Sequence, residues 1–429
     1  MARSPCPASP PHLTGGTAAN VFTVSGWTGG GALTGGGGSD TVVAAKDADF
    51  VLTDTRLQAS DGLALDLALS GSRTARLSGG GGANGFDVGG WTGSAVLTGN
   101  GGTDSVTATR DASFVLTNRT LQIGSAPILT LVSVEDARLT GGPGNNLFTV
   151  SGWTGGGALT GGGGSDAVVA VKNADFVLTD ASLTASDGLA LTLTPASGIR
   201  RAALTGGAGN NRFDVSGWTG SGTLNGSTGT DTVAAAKDRD ITLTNVALTS
   251  TDGMAITLAA IETAELSGGD GDNTIDAAGF LGATQLRGGG GNDVLTAGRG
   301  NSILLGGAGT DHLFGNLGRD LLIGGLGADD LDGGAGDDIL IGGTTAHDDN
   351  RIALDALMAE WSRTLVAYGS RIKHLTDGAG GLNGALRLTA TSPATVGEDG
   401  LENHLTGGLG LRLVLGVLRR RDHRPEQRR

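Results

Sequence analysis

The 429-residue chain is poor in cysteine, proline, aromatic residues and glutamate. The single cysteine, Cys6, excludes an internal disulfide. Only nine prolines accompany 81 glycines, and the absence of a Gly-X-Y triplet excludes collagen. No run of about 18 apolar residues occurs, so we expect no membrane span. Acids outnumber bases by 43 to 29, and a net charge of -14 argues against nucleic acid as a partner.

Glycine and aspartate dominate what is present. Nearly all of the acidity is Asp, since the chain holds only seven Glu. Short Asp side chains in glycine-rich turns fold back onto the backbone or bind a hard cation. Hydrophobic residues make up 38% of the chain, which is enough for a core where they recur regularly. The composition therefore predicts short strands joined by tight turns.

The first two thirds of the chain consist of internal repeats. The tetrapeptide GWTG occurs at Trp27, Trp91, Trp153 and Trp218, and the related AGFLG follows at Phe280. Each repeat carries two glycine-rich nonapeptides at a constant offset. These pairs begin at Gly15 and Gly35, Gly79 and Gly99, Gly141 and Gly161, Gly206 and Gly226, and Gly268 and Gly288. Regular internal repeats of this kind are typical of solenoids.

A ladder of polar residues follows the nonapeptides. The sixth position is Asn in the first member of each pair (Asn20, Asn84, Asn146, Asn211 and Asn273) and Asp in the second (Asp40, Asp104, Asp166, Asp231 and Asp293). The intervening runs, such as 49–69, alternate in the manner of strands. A further polar residue, Asp61 in the first repeat, follows the nonapeptide Asp at a similar step. These steps predict a β-solenoid with about 21 residues per coil and three coils per repeat.

The period tightens to nine residues over 288–341. Six nonapeptides follow without gaps, with Gly at every fourth position, Leu at every eighth, and Asp at every sixth except Ser302. This block closely resembles the hemolysin-type, or repeats-in-toxin (RTX), calcium-binding nonapeptide GGxGxDxUx. Over 14–287 the resemblance is partial, because only the paired nonapeptides match. The whole arrangement looks like that of long repetitive surface or secreted bacterial proteins.

The resemblance implies a right-handed parallel β-roll in which two nonapeptides, about 18 residues, form one coil. It places Ca²⁺ between turns two nonapeptides apart. It implies carboxylate ligands from Asp293, Asp311, Asp320, Asp329 and Asp338, and carbonyl ligands from Gly288, Gly290, Gly306, Ala308, Gly315, Leu317, Gly324 and Leu326. Three intervals have Asp at both ends, so we expect three strong ions and a fourth, weaker one at Ser302. Weaker metal candidates upstream are Asp40, Asp104, Asp166 and Asp231, and the alternative there is that Asp and Asn only cap the turns.

Two other recurrent positions have competing interpretations. The four GWTG tryptophans form either a carbohydrate-stacking stripe or, as we expect, part of the packing. The basic residues Lys46, Arg110, Lys172 and Lys237 form either a binding stripe or, as we expect, a solvated edge of the coils.

The pattern changes after Gly343. Apolar residues at helical spacing between Leu354 and Leu375 predict one α-helix, started by Asp348, Asp349 or Asn350 and followed by Gly378. We expect it to cap the open last coil, with oligomerisation as the alternative. In LTGGLGL, Arg412 stands where Asp is expected, so the metal site should fail there.

These patterns define five segments. They are a non-repeat start (1–13), β-solenoid repeats (14–287), a calcium-binding β-roll (288–343), a helix-containing C-terminal cap (344–410) and an Arg-rich tail (411–429). We expect the first and last to be artefacts of a misplaced start and a shifted reading frame.

The sequence, together with the resemblance, thus predicts an all-β protein, a right-handed parallel β-solenoid that passes into a calcium-binding β-roll, with one C-terminal capping α-helix. We expect a non-enzymatic, extracellular or cell-surface bacterial protein whose folding external Ca²⁺ stabilises, with a surface polysaccharide or other cell-surface ligand as partner. No HExxH or GxSxG motif occurs, and we assign no catalytic residue. The alternative is the repeat region of a secreted polysaccharide-acting or hydrolytic enzyme whose catalytic domain lies outside this chain.

Overall fold

A computed structural model of the chain describes residues 11–194, 198–378, 380–391 and 394–415. The chain divides into two compact units, Met1–Thr205 and Gly206–Arg429. Nearly all of the predicted non-repeat start, and residues 416–429 of the Arg-rich tail, lie outside the described residues. Among the described residues, no helix is long and apolar enough to cross a membrane.

The first unit consists of short strands that alternate between two sheets. In chain order they are β1 (His12–Thr14), β2 (Val21–Thr23), β3 (Gly30–Thr34), β4 (Thr41–Ala45), β5 (Phe50–Thr53), β6 (Arg56–Ala59), β7 (Ala64–Ala68), β8 (Thr74–Ser78), β9 (Gly85–Gly90), β10 (Ser94–Thr98), β11 (Ser105–Thr109), β12 (Phe114–Thr117), β13 (Thr120–Ile123), β14 (Leu129–Val132), β15 (Asp136–Thr140), β16 (Leu147–Gly152), β17 (Gly156–Thr160), β18 (Asp166–Val171), β19 (Phe176–Thr179), β20 (Ser182–Ala185), β21 (Ala190–Leu193) and β22 (Ile199–Thr205). Most neighbours pair in parallel, which confirms the solenoid.

The long alternating run of each repeat does not form a coil of its own. In the first repeat β5, β6 and β7 form an antiparallel three-stranded meander within one sheet. Where two nonapeptides follow each other, the parallel partners are close in sequence, as for Phe22 and Val42. Where the meander intervenes, the step is longer, and Phe50 pairs with Phe86. The prediction of three equal coils per repeat is wrong.

The meanders also alternate between the sheets. The chain crosses between the two sheets an odd number of times per repeat. The meander of the second repeat, β12–β14, therefore lies in the other sheet from β5–β7.

The core of the first unit lies between the two sheets. Inward residues of the alternating strands are buried, and Phe50 stacks on Phe86 with 5.7 Å between ring centroids. Trp91 and Trp153 are each 1% exposed, and their indole Nε1 atoms donate to backbone carbonyls of the following strand. These tryptophans pack in the core and do not form an exposed stacking stripe.

The recurrent lysines are buried rather than solvated, so that expectation is wrong. The Lys46 ammonium donates to the Trp27 carbonyl and to Asp61 Oδ2, both at 2.6 Å. This hydrogen bond lowers the pKa of Asp61. Lys172 contacts Asp187 and the tryptophan carbonyl of its own repeat in the same way. Each ion pair fastens a meander turn to the GWTG turn, which explains why Asp61 is not a member of the nonapeptide ladder.

The second unit begins with the same pattern and then becomes regular. Its strands are β23 (Arg212–Gly217), β24 (Ser221–Asn225), β25 (Thr232–Ala236), β26 (Ile241–Thr244), β27 (Ala247–Ser250), β28 (Ala255–Ala259), β29 (Thr263–Ser267), β30 (Thr274–Gly279), β31 (Ala283–Gly290), β32 (Val294–Thr296), β33 (Ile303–Ala308), β34 (His312–Phe314), β35 (Leu321–Leu326), β36 (Asp330–Asp332), β37 (Asp338–Ile341), β38 (Thr344–Thr345), β39 (Val396–Gly397), β40 (His404–Thr406) and β41 (Arg412–Leu415). Each of the strands β32 to β35 pairs with the strand two nonapeptides further on, as in Leu295, Leu313 and Leu331. The predicted roll with two nonapeptides per coil is confirmed.

Two helices, α1 (Arg351–Trp361) and α2 (Tyr368–Asp377), replace the single helix expected from the sequence. The Asn350 side chain caps α1, and Gly378 ends α2 in a left-handed conformation. Their apolar residues pack on the outward face of β33, β35 and β37. The helices therefore cover a side of the roll, and the expected end cap is wrong. The chain then returns, because β40 and β41 add to β36 and β37 as a further coil.

Candidate metal centre

The roll aspartates form two ladders inside its turns. In one ladder the Asp293 N–H donates to Asp311 Oδ1 at 2.8 Å, and the Asp311 N–H donates to Asp329 Oδ1 at 2.9 Å. In the other, Asp320 Oδ1 accepts the Ser302 N–H, and Asp338 Oδ1 accepts the Asp320 N–H. All of these sixth-position side chains are at most 2% exposed. Each carboxylate thus uses one oxygen to hold the backbone of the preceding coil.

The second carboxylate oxygen is left without a donor. Oδ2 of Asp293, Asp311, Asp320 and Asp329 is buried and accepts no hydrogen bond. A buried acceptor without a partner is unfavourable, by about 1–3 kcal/mol, and more when it is charged. The turns therefore present oxygen atoms that lack a proton or a cation.

The first-position glycines show where these oxygens converge. A Cβ added to Gly288 would lie 2.2 Å from Asp293 Oδ2 and 2.5 Å from the carbonyl oxygen of Gly306. At Gly306 the two distances, to Asp311 Oδ2 and to the Gly324 carbonyl oxygen, are both 2.4 Å. Only glycine fits at this point, and a carboxylate oxygen meets a carbonyl oxygen of the next coil. Carboxylate and carbonyl oxygens are the type of ligand that Ca²⁺ prefers.

Burial also opposes ionisation of these carboxylates. It raises the pKa of Asp293, Asp329 and Asp338 to about 6 and that of Asp320 to about 9. Burial raises the pKa of Asp311 as well. The backbone N–H bond to each group lowers the pKa only in part, and neighbouring carboxylates, such as Asp338 beside Asp320, raise it further. A cation in the turns would reverse this balance.

The predicted carbonyl ligands are not all equivalent. Of the first-position glycines, the structure brings the carbonyls of Gly306 and Gly324 beside an aspartate, whereas that of Gly288 lies beside Asn273. Gly315 takes the corresponding position in the second ladder, close to Asp320 Oδ2, but the carbonyl oxygen that approaches it belongs to Gly333. The third-position residues Gly290, Ala308 and Leu326 stack in register, and Leu317 bridges to Ala335. The Leu326 carbonyl already accepts the Gly309 N–H.

Sequence reasoning missed the carbonyls of Gly333 and Gly342 and the side chain of Asn403. Continuing the nine-residue period past Ile341 would have found Gly342, whose carbonyl faces Asp329 Oδ2 across Gly324. No local pattern points to Asn403, which accepts the Asp329 N–H at 2.8 Å after an excursion of 74 residues.

Arg412 occupies the sixth position of the last coil. It pairs in register with Asp338, and its guanidinium donates to the Gly407 carbonyl. A fixed positive charge therefore stands there in place of an aspartate.

The upstream candidates fall into two groups. Asp40 has partners for both oxygens, because Oδ1 accepts the Asn20 N–H and Oδ2 accepts the Ser70 N–H. Its role as a turn cap is thus satisfied without a metal. In contrast, Oδ2 of the other three is buried without a partner, and burial raises their pKa; they are Asp104, Asp166 and Asp231.

The donor set is mainly backbone. Within the described residues, no three Asp, Glu, His or Cys side chains converge as a side-chain metal cluster would. A cation in these turns would therefore depend on one or two carboxylates together with glycine-turn carbonyls, which suits a hard ion and not a transition metal.

Comparison with protein families identifies these turns. The sequence model of the RTX calcium-binding nonapeptide repeat, in four copies, matches residues 29–53, 287–322 and 314–344. The last two matches cover both aspartate ladders. A comparison with curated proteins finds no significant match.

Proposed function

We propose that Ca²⁺ binds between the turns of the roll and stabilises it, because residues 29–53 and 287–344 match the RTX calcium-binding nonapeptide repeat. The observation that carries the proposal is the row of buried, donorless Oδ2 atoms at Asp293, Asp311, Asp320 and Asp329. Asp338 completes the second ladder. The ion would supply positive charge to paired carboxylates, and the turn glycines would supply carbonyl oxygens.

The role of the ion is structural in this proposal. The ladder carboxylates are buried and hold backbone N–H groups of the preceding coil, so they are poorly placed to meet a substrate. Folding and metal binding are then coupled, because the ionised ladder is unfavourable without the cation. We therefore propose a non-enzymatic protein whose solenoid is ordered by calcium.

We further propose that the protein works outside the bacterial cell or at its surface, as a structural or adhesive segment. RTX repeat proteins are typically secreted. Extracellular calcium sites bind with dissociation constants on the order of 10⁻⁴ to 10⁻³ M, which external calcium saturates. Low internal calcium would leave the chain loosely folded before export, and external calcium would then lock the coils.

The test is far-UV circular dichroism during a Ca²⁺ titration of chelated protein, with Mg²⁺ as the control ion. We expect Ca²⁺ to raise the thermal midpoint and to add β signal cooperatively to that of the loosely folded calcium-free chain. We expect Mg²⁺ to do neither, since Mg²⁺ requires a compact octahedral site that carbonyl turns do not provide. A β spectrum and a thermal midpoint that are both unchanged by Ca²⁺ would refute the proposal. Release of products from acidic or neutral polysaccharides would refute the non-enzymatic part.

A further inference from the structure

One outward face of the second unit departs from the repeat pattern. Strands β25, β29, β31 and β33 are parallel and in register, and they stack outward residues in two rows. One row consists of Ala234, Glu265, Gln285 and Ile303, and the neighbouring row consists of Ala236, Ser267, Arg287 and Leu305. The rows change from polar to apolar at β33, where the helices begin to cover the sheet.

A cavity of about 230 Å³ opens on the polar part of this face. The small side chains of Ala234 and Ala236 form its floor, because their strand lies between taller neighbours. Its charged lining consists of Arg212, Asp214, Glu265, Arg287 and Arg351. Three arginines against two acids leave the cavity with a net charge of +1, in a chain whose net charge is -14.

The acids of the cavity are already engaged. The Glu265 carboxylate pairs with Arg212 at 3.1 Å and also with Arg351. Asp214 accepts hydrogen bonds from the backbone and hydroxyl of Ser216. These contacts engage both acids of the cavity and leave no carboxylate for Arg287.

Two donors in the same cavity have no acceptor. The Arg287 guanidinium makes no hydrogen bond or ion pair with any residue that the structure describes. The Gln285 side-chain Nε2 is buried and equally without a partner. The two side chains are two residues apart on one strand, so they point to the same side of the sheet. Unmet donors beside a guanidinium indicate a ligand that brings its own acceptors.

The other repeats provide an internal comparison, counted from the GWTG tryptophan or from Phe280. The counterparts of Gln285 are Ala32, Val96, Ala158 and Thr223. The counterparts of Arg287 are Thr34, Thr98, Thr160 and Asn225. The solenoid therefore folds with shorter side chains at both donor positions. Gln285 and Arg287 are not required by the coil itself.

We propose that this cavity binds the carboxylate of an acidic sugar, a uronate unit of a surface polysaccharide. A guanidinium recognises a carboxylate through two parallel hydrogen bonds, and the Gln285 amide would donate to a ring or carboxylate oxygen. The cavity is smaller than the roughly 300–1,000 Å³ of sites for drug-sized ligands, so it admits one sugar ring. This inference rests on the adhesive role proposed above and names its ligand class and site.

The experiment uses the calcium-loaded full chain and saturation-transfer NMR with three probes: methyl glucuronide, the neutral methyl glucoside, and acetate. We expect saturable binding of the glucuronide, at least tenfold weaker binding of the glucoside, and weak binding of acetate. Equal binding of glucoside and glucuronide would overturn carboxylate recognition. Acetate that binds as tightly as the glucuronide would overturn the sugar assignment, and no binding by any probe would overturn the site.

Two variants locate the binding. Arg287→Thr restores the residue found in three other repeats, and Gln285→Glu keeps the side-chain size while placing a negative charge against the ligand. Both are expected to weaken glucuronide binding at least tenfold. Arg138→Thr removes the same charge from an exposed position in the first unit and is expected to change nothing. If both cavity variants bind like the unmodified chain, the site assignment is wrong.

Calcium-dependent circular dichroism of the same samples separates this inference from the calcium proposal. A normal calcium transition without glucuronide binding refutes the sugar site alone. Glucuronide binding by protein that shows no calcium response refutes the calcium proposal and leaves the sugar site supported.

Discussion

The substitution Asp320→Asn tests the calcium ladder most sharply, because its effect should change sign with the metal. Asp320 Oδ1 accepts the Ser302 N–H at 2.7 Å, while Oδ2 is buried without a partner. Burial, reinforced by Asp338, raises the pKa of Asp320 to about 9 in the protein without a cation. At pH 7 the calcium-free folded chain therefore holds this group protonated, whereas the unfolded chain ionises it.

The size of the effect follows from the two pKa values. With an unfolded pKa near 3.8, holding the proton at pH 7 costs 7 minus 3.8, or about 3.2 pH units. At about 1.36 kcal/mol per unit this is at most ~4 kcal/mol. An asparagine side chain is neutral without taking up a proton. It still buries an amide that lacks a hydrogen-bond partner, which costs about 1–3 kcal/mol. We therefore expect Asp320→Asn to stabilise the calcium-free protein by about 1–3 kcal/mol at pH 7.

In calcium the same substitution should destabilise, because it removes a carboxylate ligand. The assay is urea unfolding at pH 7, with and without calcium, and the Asn variant of the exposed Asp377 serves as the control for loss of one charge. That control should move neither midpoint appreciably. Equal destabilisation by Asp320→Asn in both conditions would refute the reasoning and leave Asp320 as a turn cap.

Three other perturbations test the same structure. The folded pKa values of Asp293, Asp329 and Asp338 are raised from 3.8 to about 6. Their contribution to the free energy of unfolding is therefore fully present below the unfolded pKa of 3.8 and is lost as the pH rises through 6. The urea midpoint of calcium-free protein should accordingly fall from pH 4.5 to 6.5, and a rise would contradict this. Lys172→Met leaves Asp187 and a tryptophan carbonyl without their donor and should lower the free energy of unfolding by about 1–3 kcal/mol, as measured by urea denaturation against Lys373→Met on the exposed side of α2. Gly306→Ala places a methyl 2.4 Å from Asp311 Oδ2 and should weaken calcium binding in isothermal titration, whereas Gly369→Ala, at a glycine with open space around it, should not.

The sequence predicted the structure correctly where the repeat period alone fixes which residues become neighbours. The nine-residue period predicted a coil of two nonapeptides and brought Asp293, Asp311 and Asp329 into one ladder, since each turn repeats the same backbone path. Calcium at that ladder stays a prediction. Reasoning failed for Lys46, because its burial depends on Asp61, which the antiparallel meander folds back against it. The spacing of Asp61 matched that of a coil, but the strand before it runs in the opposite direction.

The surface that the two helices cover was also not predictable from the sequence. Spacing between Leu354 and Leu375 indicated an apolar helical face, yet periodicity does not say which surface it covers. Outward Ile303, Ile323 and Ile341 decide that only after the coils have stacked. The cavity on the polar part of the same face also exists only in the stacked sheet, because its floor and rim come from strands far apart in sequence.

The sequence by itself determined the strand alternation, the glycine turns and the residue spacing of the roll, because these depend on contacts within one coil or between neighbouring identical coils. The tertiary structure alone decided the alternating placement of the meanders, the lateral position of the two helices, the return of β40 and β41 to the roll, and the polar cavity on its flank. The physical reason is that local periodicity assigns each side chain to the inner or outer face, whereas the partner on that face is chosen by which strands become neighbours in space.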